Sequence, residues 1–357
     1  MDRGAGERAG KVQTVLGMIS PDSLGITLPH EHLFIDCSQT LQDHKPTNAS
    51  ELTLYYEPVE LQNLWWVTYH PISNRDNLIL QNEEIAVKEA SFFRQAGGGT
   101  IVDVSSASIG RNPQALVRLS QATGLNIVMG SGFYIAPSHP DIMGRLTEEE
   151  ICEEIVREIT VGIGNTPIRA GIIGEMGCSW PLNENERKAL RGAAQAQRLT
   201  GAPLSIHPGR NPNPGIRTCL ELIDILSKAG ADISHTTVCH IERTIIDHEE
   251  RCKLAETGCY LEYDIFGWEG YHNVLTVDLP NDSYRINQII DLIDRGYIDQ
   301  ILISQDICWK HRLRSYGGHG YDHILRNVIP VMRAKGMSEE QIHTLLVENP
   351  KRLLTFQ

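Results

Sequence analysis

No apolar run of the roughly 18 residues needed for a membrane-crossing helix occurs in the chain, and residues 1–11 carry no apolar core of signal-peptide length. A cytoplasmic protein is expected. Also missing are any Cys-x-x-Cys pair and any long Lys/Arg run. The eight cysteines (Cys37, Cys152, Cys178, Cys219, Cys239, Cys252, Cys259 and Cys308) are scattered over 357 residues, unlike a dense disulfide scaffold, and are expected to be free, mostly buried thiols. With 32 Lys and Arg against 45 Asp and Glu, a formal charge of −13, the chain is unsuited to neutralising a row of phosphates. Nucleic acid and anionic membrane surfaces are thereby excluded as partners, and a small molecule remains. No Gly-rich phosphate turn follows the first predicted strand, which counts against a doubly wound dinucleotide-binding sheet.

What is present is the composition of an ordinary globular protein, 41% hydrophobic and 22% charged. Residues 1–11 are expected to form a flexible tail and 12–357 a single domain. Val12–Met18 and Gly25–Asp36 are extended segments around the turn cluster Ser20-Pro21-Asp22-Ser23 and predict a hairpin. Residues 37–75 have no clear period and read as a long loop. Its Tyr55, Tyr56, Trp65, Trp66 and Tyr69 are expected to line one wall of a pocket. Beyond residue 78 the pattern becomes regular: apolar strands at about 100–104, 126–131, 170–175, 203–207, 236–240, 259–264 and 300–306, each followed by a helical period, including one at 244–257. Thr147 followed by three glutamates suits a helix start. With the strand that holds Leu28, this gives eight βα units. The predicted fold is α/β, a distorted (β/α)8 TIM barrel with an N-terminal β-hairpin and a long loop after strand 1.

In such a barrel the carboxyl ends of the strands carry function. Along Leu28-Pro29-His30-Glu31-His32, strand alternation points His30 and His32 one way and Glu31 the other. The later strands end in Gly174-Glu175, Ile206-His207, Cys239-His240 and Ser304-Gln305-Asp306. Any one of these side chains could pack or cap a helix. Buried together, such carboxylates and imidazoles would cost several kcal/mol unless paired or metal-bound, so a metal site is expected. Cys239 is expected to pack in the core, because its neighbour His240 faces the other side of a strand.

The order H-x-H, Gly-Glu, Ser205-Ile-His207, Val238-Cys-His240, Ser304-Gln-Asp306 and Gly320-Tyr-Asp-His323 resembles the phosphotriesterase branch of the amidohydrolase superfamily, above all its animal phosphotriesterase-related group. The resemblance implies two divalent metal ions per chain, most often zinc. His30, His32 and Asp306 would hold the more buried ion, His207 and His240 the more exposed one, and Glu175 would bridge them, where many relatives carry a carboxylated lysine. It further implies attack by a hydroxide bridging the two metals, with catalytic Asp306 moving the proton. The implied substrate is a small N-acyl amino acid amide, N-acetyltaurine giving taurine and acetate. Lactonase activity, phosphotriesterase activity, and metal-containing binding without turnover are the alternatives. Ile265 stands where lactonases commonly carry arginine. Tyr263, Lys310 and Arg312 are expected to contact the substrate, and a homodimer is the expected assembly.

Overall fold

A computed structural model describes residues 8–40, 45–209, 214–272 and 277–357. Eight strands, β1 (Ile26–Glu31), β2 (Gly98–Asp103), β3 (Asn126–Ser131), β4 (Ile172–Gly177), β5 (Leu204–His207), β6 (Thr236–Val238), β7 (Tyr260–Tyr263) and β8 (Ile301–Ile303), pair in that order as one parallel sheet. Each crossover carries a helix: α1 (Glu83–Gln95), α2 (Pro113–Thr123), α3 (Glu148–Thr160), α4 (Glu184–Thr200), α5 (Ile216–Lys228), α6 (His248–Ala255) and α7 (Asp282–Asp294). The starts are set by side-chain caps. Asn82 accepts the Ile85 N–H and Asn112 the Ala115 N–H, while Thr147 with Glu150 and Asn183 with Glu186 form capping boxes.

Register brings Leu28, Ile101 and Ile127 side by side across β1, β2 and β3, all fully buried. Each such side chain contributes about 1.5–3 kcal/mol of transfer free energy. The barrel closes where β8 meets β1, and side chains make that seam. Ser304 Oγ accepts the His30 N–H at 3.1 Å and lies 2.9 Å from His30 O, while the Asp306 N–H reaches His30 O at 3.2 Å. Glu31, on the opposite face from the two histidines, accepts the N–H groups of Gln305 and Ile307 at 2.9 Å each and the Ser304 hydroxyl at 2.8 Å.

Four expectations need correction. The hairpin pairs Val12–Thr14 with Gly17–Ile19, and Gly25–Asp36 instead supplies β1, because Pro21–Ser23 coils into a 3-10 turn between the two. Within 37–75 two helices form, Ala49–Tyr56, capped by Asn48, and Leu64–Val67. The helix expected at 244–257 is two pieces, Ile241–Thr244 and α6, because Asp247 caps a new start by accepting the Glu250 N–H at 3.0 Å. A short antiparallel pair, Gly270–His272 with Val277–Leu279, has no counterpart in the sequence reading. Of the tail expected over 1–11, residues 1–7 lie outside the described residues. Arg8 is buried, and Gly10 and Lys11 exchange backbone hydrogen bonds with Phe356 at 2.9 Å. Among the described residues no helix is long and apolar enough to cross a membrane.

Candidate metal centre

The carboxyl ends of β1, β4, β5, β6 and β8 bring six side chains together. Glu175 sits at the centre. Its Oε1 lies 3.5 Å from His32 Nε2, and its Oε2 lies 2.8 Å from His207 Nδ1, 3.6 Å from His30 Nε2 and 3.7 Å from His240 Nε2. Asp306 Oδ1 is 3.3 Å from His32 Nε2 and 3.8 Å from His30 Nε2. Four overlapping donor sets result among the described residues: His30 with His32 and Glu175, His207 with His240 and Glu175, His30 with His240 and Asp306, and His30 with Cys239, Glu262 and Asp264 behind it. Two ligands at ~2.1 Å from a tetrahedral ion lie about 3.4 Å apart, which is the separation most of these pairs have. His240 and Asp306 both adopt left-handed backbone, at φ 58° and 46°. That conformation is costly for a non-glycine residue and is found where local structure over-determines a site.

A further layer of residues fixes how the imidazoles point. His30 Nδ1 is 3.1 Å from Glu262 Oε2, His32 Nδ1 is 2.9 Å from Ser105 Oγ, and His240 Nδ1 is 2.6 Å from Asp264 Oδ1. Those contacts leave each Nε2 facing the centre. His30 Nε2 is buried without a hydrogen-bond partner among the described residues, an orphan that suits a ligand and costs free energy otherwise. Behind His30, Cys239 is fully buried with its Sγ 3.1 Å from Ser205 Oγ.

The electrostatics agree. Burial pushes His32 down, but Asp306 and Glu175 outweigh it and lift the imidazole to about 10. For His30, burial is outweighed by Asp264, Glu262 and Glu175, and the value rises to about 9. Burial likewise opposes charge on Glu175 and Asp306, yet the surrounding histidines hold both well below the ordinary carboxylate range. His207, where burial dominates, falls to about 4. The carboxylates thus draw protons onto the imidazoles that face them, and divalent cations bound by the same imidazoles and carboxylates would supply that compensating charge instead.

Beside the centre opens a cavity of about 410 Å³, which Glu175, His32, His207 and Asp306 line from below. Trp180, Trp268, Trp309, Ile35 and Ile72 supply an apolar wall, and among the described residues Arg243 is the one arginine or lysine on it. None of Tyr55, Tyr56, Trp65, Trp66 and Tyr69 takes part. Trp66 packs with Val59 and Val67, while Tyr56, Trp65 and Tyr69 point to solvent. The residues expected to contact substrate are not brought to this cavity. Tyr263 alternates away from Glu262 and is fully buried in the core. Lys310 pairs with Asp76, and Arg312 is buried, its Nη2 donating to Phe266 O at 2.8 Å and Gln305 O at 3.1 Å. The cavity residues Arg243, Tyr134, Trp180 and Trp309 had no sequence signal strong enough to single them out. Glu262 did: Glu262-Tyr-Asp264 has the same two-residue spacing as the histidine pair.

The sequence profile of the phosphotriesterase family matches residues 10–354. The N-acetyltaurine hydrolase of Danio rerio is 45% identical over 356 residues, covering 98% of this chain and 99% of that protein. Among solved structures, a resiniferatoxin-binding protein from Rhodobacter sphaeroides superposes with a TM-score of 0.93 at 36% identity, over 97% of this chain and 95% of that one. The phosphotriesterase homology protein from Escherichia coli, complexed with phosphate in its active site, superposes with a TM-score of 0.76 at 27% identity, over 93% and 99%.

Proposed function

Given that the chain belongs to the phosphotriesterase family of metal-dependent hydrolases, we propose that it hydrolyses small N-acyl amino acids, N-acetyltaurine foremost, to an amine and a carboxylate. The observation that carries the reading is Glu175, whose two carboxylate oxygens face different imidazoles at the floor of a small cavity. The relative from Danio rerio, alike over nearly its whole length, supplies the substrate. In this reading His30, His32 and Asp306 would hold one zinc ion and His207 and His240 the other, with Glu175 available to both, within a single hydrolase domain of residues 12–357 on which Arg8–Lys11 pack.

When bound, such a pair of divalent cations lowers the pKa of water and polarises an amide carbonyl. The rest falls to the chain's own residues. Glu262, Ser105 and Asp264 hold three imidazoles in the tautomer that presents Nε2. Asp306, at the cavity floor with its carboxylate kept ionised, accepts a proton from the attacking water at Oδ and delivers it to the leaving nitrogen. A C–O bond forms, the C–N bond breaks, and the amine leaves neutral at the moment of cleavage. The tryptophan and isoleucine wall keeps bulk water from the reacting carbonyl.

Incubating zinc-reconstituted protein with N-acetyltaurine, other N-acetyl amino acids, a lactone series and paraoxon tests the reading. Acetate release from N-acetyltaurine at the highest kcat/KM is expected, and turnover of none of the amides refutes it. A second reading, retention of a small molecule without turnover, draws on the name of the Rhodobacter sphaeroides relative. It gives Asp306 a place as a ligand and no proton to carry. All eight thiols are free, three of them (Cys37, Cys178 and Cys308) on the cavity wall, which supports a reducing cytoplasmic compartment. We take the family's homodimer as the assembly, checked by light scattering.

A further inference from the structure

We infer that Arg243 is the residue that selects substrates by a terminal anion, a sulfonate or carboxylate, one short alkyl spacer from the scissile amide. The inference rests on the amide-hydrolase reading above and names which feature of such an amide the cavity reads.

Arg243 lies three residues after His240, on the single helical turn Ile241–Thr244 that follows the left-handed His240 backbone. It is 5% exposed and lines the cavity. Its Nε and Nη1 are buried with no hydrogen-bond partner among the described residues. A buried guanidinium presents five donors in a fixed fork, and leaving them unsatisfied is costly. Every carboxylate nearby is committed elsewhere. Asp264 binds His240 through both oxygens, at 2.6 Å to Nδ1 and 3.0 Å to the backbone N–H. Glu175 and Asp306 face the histidines. The adjacent Glu242 turns away, accepting the Ile265 N–H at 3.0 Å and lying 3.3 Å from Arg285 Nε.

The contrast with the other buried arginines of this face sharpens the point. Arg312 donates to two backbone carbonyls and Arg285 to Asp282 at 2.6 Å and to Trp268 O at 2.5 Å. Arg243 is thus left with a cavity in front of it and donors to spare. The natural complement is a planar or tetrahedral oxyanion able to take two parallel N–H···O bonds. The carbonyl of the same substrate would sit over Glu175 and Asp306, on the cavity floor.

The test compares wild type, Arg243→Gln and Arg243→Lys, each zinc-loaded and checked for melting temperature and zinc content. Substrates are N-acetyltaurine, N-acetyl-β-alanine and the neutral N-propylacetamide. Wild type should favour both anionic amides. In Arg243→Gln the kcat/KM ratio of N-acetyltaurine to N-propylacetamide should fall about 100-fold, mainly through KM, with part of the loss restored by Lys, as expected for a charge-assisted pair in a dry site. An unchanged ratio in Arg243→Gln overturns the assignment. So does an equal loss on the charged and neutral amides, which would mark Arg243 as a structural counter-charge. If Arg243→Gln does not fold, Arg243→Lys decides alone, since an unaltered KM for N-acetyltaurine removes the forked contact. Calorimetric titration with ethanesulfonate separates this inference from the parent reading. Binding to wild type that is lost in the variants upholds Arg243 even if no amide is cleaved, and equal binding to all three proteins overturns it.

Discussion

Replacing Asp306 by Asn separates proton transfer from scaffolding. The position tolerates the change in one respect that matters: Asp306 has φ 46°, and Asn is among the few side chains that enter this region readily. Its backbone N–H bond to His30 O at 3.2 Å is untouched. The side chain keeps its size and one oxygen, so the 3.3 Å approach to His32 Nε2 can persist. What is lost is the carboxylate charge and with it the general base. A positioned base contributes about 10²–10⁴ in rate, or about 3–5 kcal/mol of transition-state stabilisation. Five other candidate ligands remain, His30, His32, Glu175, His207 and His240. Zinc-loaded Asp306→Asn should therefore retain most of its metal and its melting temperature while kcat for N-acetyltaurine falls at least 100-fold. The assay is steady-state acetate release alongside elemental analysis of the same sample. A kcat near wild type would remove Asp306 from the proton path, and loss of both metals at unchanged activity per bound ion would make it a ligand only.

Three further outcomes are expected. Because Glu175 is already a carboxylate, metal-free protein reconstituted with zinc should regain the same activity with and without bicarbonate, and a dependence on bicarbonate would contradict a glutamate bridge. Asp264→Asn removes the charged partner 2.6 Å from His240 Nδ1, so zinc affinity measured by chelator competition should drop about 10–100-fold; an unaltered affinity would show that the contact does not orient the ligand. Burial opposes charge on Asp282, but His323 and Arg285 outweigh it and hold the carboxyl at about 2, against an ordinary value of 3.8. A depressed folded-state value means stabilisation present above about 3.8 and lost as pH falls toward 2, so Asp282→Asn should cost about 2 kcal/mol at pH 7 and progressively less below pH 4 in denaturant melts.

The barrel was legible because the strands are short apolar runs and those from β1 to β7 are each followed by a helix, most of them capped by a side chain, and the six candidate ligands because alternation and the carboxyl-end rule assign a side to each. His30 and His32 converge with Glu175 as their spacing requires. Side-chain direction failed where no period fixes it. The aromatic residues at 55–69 and the basic run Lys310 to Arg314 look alike in sequence whether they face a cavity or a neighbour. In the folded chain Lys310 is spent on Asp76, Arg312 on backbone carbonyls and Arg314 on Asp322. Arg243 was hidden for the converse reason. Its exposure to the cavity depends on a one-turn helix that begins in left-handed backbone at His240, and the sequence pattern leaves residues 241–243 as a connection between the strand at 236–240 and the helix at 244–257, with no period to orient them.

The closure of β8 on β1 also bears on how the protein is made. His30 and Ser304 are 274 residues apart in the chain, so the seam and the candidate ligand pair that straddles it, His30 with Asp306, cannot exist until almost the whole polypeptide has left the ribosome. Contacts of that sequence separation are late and slow to form. Until then Glu31 has no donors to accept from, and the amino-terminal histidines have no opposing carboxylate at 306. In the proposed metal centre, zinc capture would thus report on completed synthesis: a chain cut short before the eighth strand lacks both the latch of its barrel and the Asp306 carboxylate of the proposed site, and so cannot pass for a finished one.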